Sequence, residues 1–112
     1  MKEKINILWS SGDKAVAQKL VFMYTLNSKL HGWWDEVSLI VWGPSANLLA
    51  NDSELAREVK KMIEEDIEIL ACKACSDSYG VSDKLIQMGI EVKYMGKDLT
   101  SILKQDEKLL TF

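Results

Sequence analysis

Arginine is nearly missing from this sequence. Among fourteen basic residues only Arg57 is an arginine. The planar guanidinium is the usual bidentate partner of phosphate, so its scarcity argues against phosphate or nucleotide recognition. Histidine is equally scarce: His31 stands alone and is badly placed for a Ser-His-Asp set, and no metal cluster is visible. With one proline, six glycines, no repeat and no low-complexity stretch, nothing marks an internal boundary, and residues 1–112 read as one domain. The net charge of −3 lacks the basic excess of a general nucleic-acid binder. No apolar run approaches the ~18 residues of a membrane span, so no membrane partner is expected. The opening run Ile5-Asn6-Ile7-Leu8-Trp9 is too short for a secretory core and no small-residue cleavage site follows it. The expected location is therefore the cytoplasm, where thiols stay reduced. Cys72 and Cys75, the only cysteines, then read as free thiols rather than a staple.

What is present is an alternation of short apolar runs and amphipathic stretches. Ile5 to Trp9 reads as a strand stopped by Ser10-Ser11-Gly12-Asp13. Val16, Leu20, Met23, Tyr24 and Leu26 recur at helical spacing, giving a helix from about Asp13 to Leu30 that Gly32 ends. Val37 to Trp42 is continuously apolar apart from Ser38, as in a strand buried on both faces of a parallel sheet. A short helix over Ala46 to Ala50 precedes a better one from Glu54 to Glu65, capped from Asn51-Asp52-Ser53. Ile67 to Cys72 is a third strand and Ser82 to Met88 a helix. Ile90 to Met95 is a fourth strand, Asp98 to Leu103 a short helix, and Leu109 to Phe112 an edge strand.

This order implies an α/β domain: three α/β/α layers around a mostly parallel five-stranded sheet. Ligand sites in open sheets of this type lie beyond the carboxyl ends of the strands. Trp9, Trp42, Cys72 and Tyr94 stand at those ends, so one rim is expected to gather them, with Ser10, Gly43 and Lys73 in the adjoining turns.

The segment Cys72-Lys73-Ala74-Cys75 carries the chemistry. A cysteine ending a buried strand meets the N–H groups of a following helix, which favour its thiolate, and Lys73 adds positive charge. Cys75, three residues on, is within reach if the segment is helical and could resolve a disulfide or persulfide on Cys72. Against this stands the ordinary role of free cysteine as a small buried hydrophobe. A zinc site would need ligands from a second chain, so no metal is expected. A thioredoxin-type dithiol fits poorly, because the motif follows the third strand and Pro44 precedes it. A third use is sulfur carriage by one cysteine.

The chain resembles the DsrE/DsrF-like family over nearly its whole length. The likeness rests on the strand Ile5–Trp9, the long first helix and a third strand running into Cys72. Eight residues after Cys72 come Gly80-Val81, then a helix and Gly89-Ile90-Glu91-Val92. In sulfur-relay members of that family a cysteine at this place carries sulfur as a persulfide, so the resemblance implies a sulfur-acceptor role for Cys72. Cys75 departs from the pattern, since a carrier needs no second thiol there. The resemblance also implies sheet order 4-3-2-1-5, assembly as a homo-trimer or hexamer, and sulfur donor and acceptor proteins as partners.

Ser10-Ser11-Gly12-Asp13 could cradle an anion but lacks the spacing of a nucleotide loop, so a turn and helix cap explain it. Trp33 and Trp34 either mark an interface or cover the sheet edge. His31 belongs at the far end of the first helix from the rim. No cofactor motif is present, although five-stranded α/β sheets can hold a flavin. Two functions follow as expectations. One is a sulfur carrier acting through Cys72 with help from Cys75, which would make the chain a sulfurtransferase. The other is a small-molecule or partner-binding module with Trp9, Trp42 and Tyr94 around an apolar rim and passive cysteines.

Overall fold

The structure is a computed structural model and describes residues 2–112. Its sheet has five strands: β1 (Lys4–Trp9), β2 (Glu36–Val41), β3 (Glu68–Cys72), β4 (Glu91–Lys93) and β5 (Lys108–Thr111). They lie in the order β4-β3-β2-β1-β5, and every described pairing is parallel. The expected order and layering are therefore found, with helices on both sides of the sheet.

Successive side chains of a strand point to opposite faces, so each strand supplies both layers. Ile5, Ile7 and Trp9 of β1 join Val37, Leu39 and Val41 of β2 and Ile69 and Ala71 of β3 on the first face. That face is thickly covered. The helix over residues 14–30, called α1, adds Ala17, Val21 and Phe22. Helix α2 (Pro44–Ala50) adds Ala46 and Leu49, and α3 (Ser53–Glu64) adds Leu55, Val59 and Met62. Each fully buried side chain of this size contributes roughly 1.5–3 kcal/mol by leaving water. The second face is thinner. Ile40, Leu70, Cys72 and Met95 form a separate apolar cluster, edged by Leu8, Trp42, Cys75 and Ile102.

Local chemistry sets the ends of these elements. Asp13 caps α1 by accepting the Val16 N–H at 3.1 Å. Asp52 caps α3 by accepting the N–H groups of Glu54 and Leu55, each at 3.0 Å. Inside α1, Ala17–Val21 widens into a π-helical turn. It is followed by Thr25, whose buried hydroxyl donates to the Val21 carbonyl at 2.6 Å. Pro44 takes the first helical position of α2, so that helix starts earlier than the periodicity suggests.

Two short helices flank the end of β3 and its return: α4 (Lys73–Ser78) and α5 (Ser82–Gln87). The fourth strand is shorter than its apolar run, because the chain turns at Met95 into α6 (Gly96–Lys104). Met95 is nonetheless buried, in the second-face cluster beside Ile102 of α6. Ser38, the polar break in β2, lies on the second face and donates to Asn6 Oδ1 at 2.8 Å. Asn6 in turn donates to Glu107 Oε1 and to the Lys108 carbonyl, which ties β1 to the edge strand. Among the described residues no helix is long and apolar enough to cross a membrane.

Candidate functional site: a thiol pair at the end of the third strand

Cys72 is the last residue of β3 and the N-cap of α4, and Cys75 follows on the first turn of that helix. Both are free. They differ in access: Cys72 is 4% exposed and Cys75 is half-buried. N-cap and third helical positions face one another, the same relation that closes a capping box. Here it brings thiol to thiol, each in the second-face cluster with Trp42 at its edge. The Cys75 thiol is pushed above its ordinary value, chiefly by burial. The neighbouring Cys72 thiol pushes the same way, while the backbone N–H of Gly43 acts in the opposite direction by favouring the thiolate.

Gly43 comes from the next strand over. It follows β2 with φ 71° and ψ −138°, a region reached almost only by glycine. Ser45 holds this turn. Its buried hydroxyl donates to the Trp9 carbonyl at 2.6 Å and accepts the Trp42 N–H at 3.2 Å, joining the ends of β1 and β2. The sequence marks Gly43-Pro44-Ser45 as a strand stop that could line a pocket at the rim; the tie that Ser45 makes between the two strand ends is visible only in the fold. The activating N–H expected from the helix after Cys72 has a different source at Cys75. Helix α4 has six residues and so only a small dipole, and the N–H that favours the Cys75 thiolate belongs to Gly43.

Lys73 does not act on Cys75. Its ammonium binds Asp77 Oδ2 at 2.6 Å and sits 5.5 Å over the Tyr94 ring. The hydrogen bond to Asp77 raises the Lys73 pKa, and the same contact, helped by Ser82, lowers that of Asp77. Ser82 also meets Ser76 at 2.7 Å, so this exposed network clamps α4 to α5. Tyr94 is 67% exposed and forms an outer lip with Lys73.

The expected rim is therefore only partly assembled. Trp42, Cys72 and Cys75 come together, with Gly43, Lys73 and Tyr94 around them. Trp9 does not join: it is fully buried on the first face, edge-on to Phe22 at 5.0 Å. The reason is strand parity. Trp9 pairs in register with Val41, so Trp42, one residue further, points to the opposite face. Ser10 is no wall of the site either. Its N–H and hydroxyl both go to the Phe112 carbonyl, at 2.7 and 2.9 Å, and anchor the edge strand. His31 stacks on Trp33 at the entry end of β1, near where Asp35 and Glu36 bond the Glu3 carbonyl. Trp33 is exposed, whereas Trp34 covers the first-face core and donates to the Tyr24 hydroxyl at 3.1 Å.

A groove of about 200 Å³ opens between the second face and α6. Its lining includes Lys4, Lys93, Asp98 and Glu107, which pair among themselves, and neither thiol reaches it. Among the described residues no group of three or more His, Cys, Asp or Glu side chains could hold a metal ion.

The comparisons with known proteins agree with this architecture. A conserved protein of unknown function, BT1422 from Bacteroides thetaiotaomicron, is 40% identical and superposes with a TM-score of 0.96, covering 98% of this chain and 95% of that one. MTH1491 from Methanobacterium thermoautotrophicum, also of unknown function, shares the fold at 15% identity and a TM-score of 0.81, over 98% and 99% of the two chains. The ychN protein from E. coli does so at 14% identity and 0.75, over the whole of both chains. No curated protein matches the chain. The DsrE/DsrF-like family pattern matches residues 4–112, and the chain belongs to that family.

Proposed function

We propose that this protein handles persulfide sulfur, taking a sulfane sulfur from a donor onto the thiol pair at the end of β3. The observation that carries the proposal is the pairing of two free thiols, one buried and one reachable, on the first turn of α4. The family likeness suggests the strand-end position, Cys72, as the carrier. Burial of Cys72 makes Cys75 the thiol that meets a donor, with Cys72 directly behind it. Sulfur is transferred when a thiolate attacks a sulfur–sulfur bond, so access and deprotonation decide the rate. Cys75 has access but, with its raised pKa, little thiolate at neutral pH. A donor that docks a positive group beside Trp42 and Tyr94 would correct that by stabilising the anion. Protein donors and acceptors, a reducing compartment and the homo-oligomer that the family likeness implies belong to the same proposal.

The test is sulfur loading from a small persulfide, with each cysteine mapped by mass spectrometry. Sulfur on Cys75 or Cys72 in the native chain or on Cys75 in its Cys72→Ser variant, and none on the Cys72→Ser/Cys75→Ser double variant, is the expected result. A chain that gains no sulfur either as the native protein or as the Cys72→Ser variant, and releases no sulfide, would refute the proposal.

A further inference from the structure

We infer that the pair does more than carry sulfur: Cys72 discharges a Cys75 persulfide as hydrogen sulfide, leaving a Cys72–Cys75 disulfide. This rests on the persulfide reading above and adds an activity to it. A plain carrier needs one thiol and gains by isolating it, because a second thiol beside a persulfide destroys it. In this chain the second thiol is placed where it will attack. Cys72 and Cys75 occupy the N-cap and third position of one helical turn, both are free, and both sit in one apolar cluster. Lys73 and Asp77, the nearest charged side chains in sequence, are tied to each other and do not separate them.

The steps balance. The Cys75 thiolate attacks the outer sulfur of a persulfide RSSH. The donor's sulfur–sulfur bond breaks, and RS⁻ leaves and takes up the proton that Cys75 lost. Cys75 now bears SSH. The Cys72 sulfur then attacks the inner sulfur, that of Cys75 itself. A Cys72–Cys75 bond forms, the bond to the outer sulfur breaks, and HS⁻ leaves with the proton from Cys72 as hydrogen sulfide. The sulfane sulfur is reduced by two electrons and the two thiols are oxidised by two. An external dithiol, by thiol–disulfide exchange, returns the pair to the free state.

The geometry allows closure. Side chains three apart on a helix have Cβ atoms about 5–6 Å apart, and a disulfide wants about 3.5–4.5 Å. Closing that gap asks the two Cβ atoms to approach by about 1.5 Å. Cys72 is fixed at the end of β3 opposite Lys93, so that movement falls on Cys75 and the first turn of the six-residue α4. Burial of Cys72 adds selectivity: an outside donor reaches Cys75, and Cys72 reacts from within. Hydrogen sulfide is small and leaves the half-open cluster freely.

The experiment mixes the reduced, full chain with an equimolar cysteine persulfide in the absence of any other thiol. Sulfide is measured in solution, and the protein is mapped for persulfide and disulfide. The native chain should release close to one sulfide per disulfide formed between Cys72 and Cys75. Cys72→Ser and Cys72→Ala should both lose that sulfide and retain the extra sulfur on Cys75. A native chain that takes up sulfur, keeps it as persulfide and forms no disulfide overturns this inference while the carrier reading stands. A native chain that shows no persulfide, no disulfide and no released sulfide, with no sulfur on Cys75 of Cys72→Ser, overturns both.

Discussion

The backbone N–H of Gly43, at the end of β2, faces the sulfur of Cys75, on the helix that follows β3. Neighbouring strands of a parallel sheet thus supply the two halves of one small site, the donor from one turn and the thiol from the next.

Gly43→Ala tests that relation. No atom lies within 4 Å of where an alanine Cβ would stand, so packing does not forbid the change. The backbone does: φ 71° with ψ −138° costs a non-glycine residue roughly 1–3 kcal/mol. If the turn relaxes to avoid that cost, the N–H swings away and the Cys75 thiolate loses its one favourable contact. The variant is expected to melt lower and to alkylate more slowly at Cys75 at fixed pH. Lower melting with unchanged alkylation would show that Gly43 serves the turn alone.

The pH profile of Cys75 has a definite sign. Its folded pKa is raised, so protonation is favoured in the folded state. That contribution to stability is present below the unfolded thiol pKa and is lost as pH climbs through the folded value. Alkylation read residue by residue should show Cys75 reacting with a midpoint above the unperturbed ~8.5. A midpoint below that would mean that burial is not the dominant influence on this thiol.

Asp77→Asn probes the clamp between α4 and α5. The carboxylate of Asp77 is held ionised by Lys73 and Ser82. Its contribution is present above the unfolded carboxylate pKa and is lost as pH falls through the lowered folded value. The variant should lose this acid-dependent part, and the Lys73 ammonium should become free to move off the Tyr94 ring. NMR titration of the Asp77 carboxyl group and of the Lys73 side chain would check both, the expected Asp77 midpoint lying below ~3.9.

Much of this architecture is legible in the residues, for stated physical reasons. The unbroken apolar run of β2 reads as buried on both faces, and the strand is buried from Val37 to Val41. The one polar residue of that buried stretch, Ser38, is tolerated because its hydroxyl donates a hydrogen bond to Asn6. The π turn at Ala17–Val21 is invisible to periodicity, because Ala17 and Val21 still face the core four residues apart. Met95 reads as strand because it is apolar and buried, yet it is buried against α6 after the strand has ended. The site was half legible. Cys72, Cys75, Trp42 and Gly43 follow from strand ends, whereas placing Trp9 with them neglects that side chains at adjacent register positions face opposite ways. Ser10 and Ser45 look alike as turn serines, and only the fold reveals that one ties the edge strand and the other the site.

Trp9 and Trp42 provide the sharpest contrast between stability and chemistry. Both end strands, but Trp9 is sealed on the first face against Phe22, while Trp42 borders the thiol cluster on the second. Trp9→Ala removes a fully buried ring and should cost about 3–5 kcal/mol of stability. With the chain kept well below its melting range, native alkylation of the cysteines should stay unchanged, since the sheet separates the two layers. Trp42→Ala should cost less, because Trp42 is only partly buried, and it should uncover the sulfurs. Alkylation of Cys72, slow in the native chain because 4% of it is exposed, should then accelerate along with that of Cys75. Equal effects of the two substitutions on thiol reactivity would mean that the cysteines are reached through global opening rather than through the cluster edge that Trp42 guards.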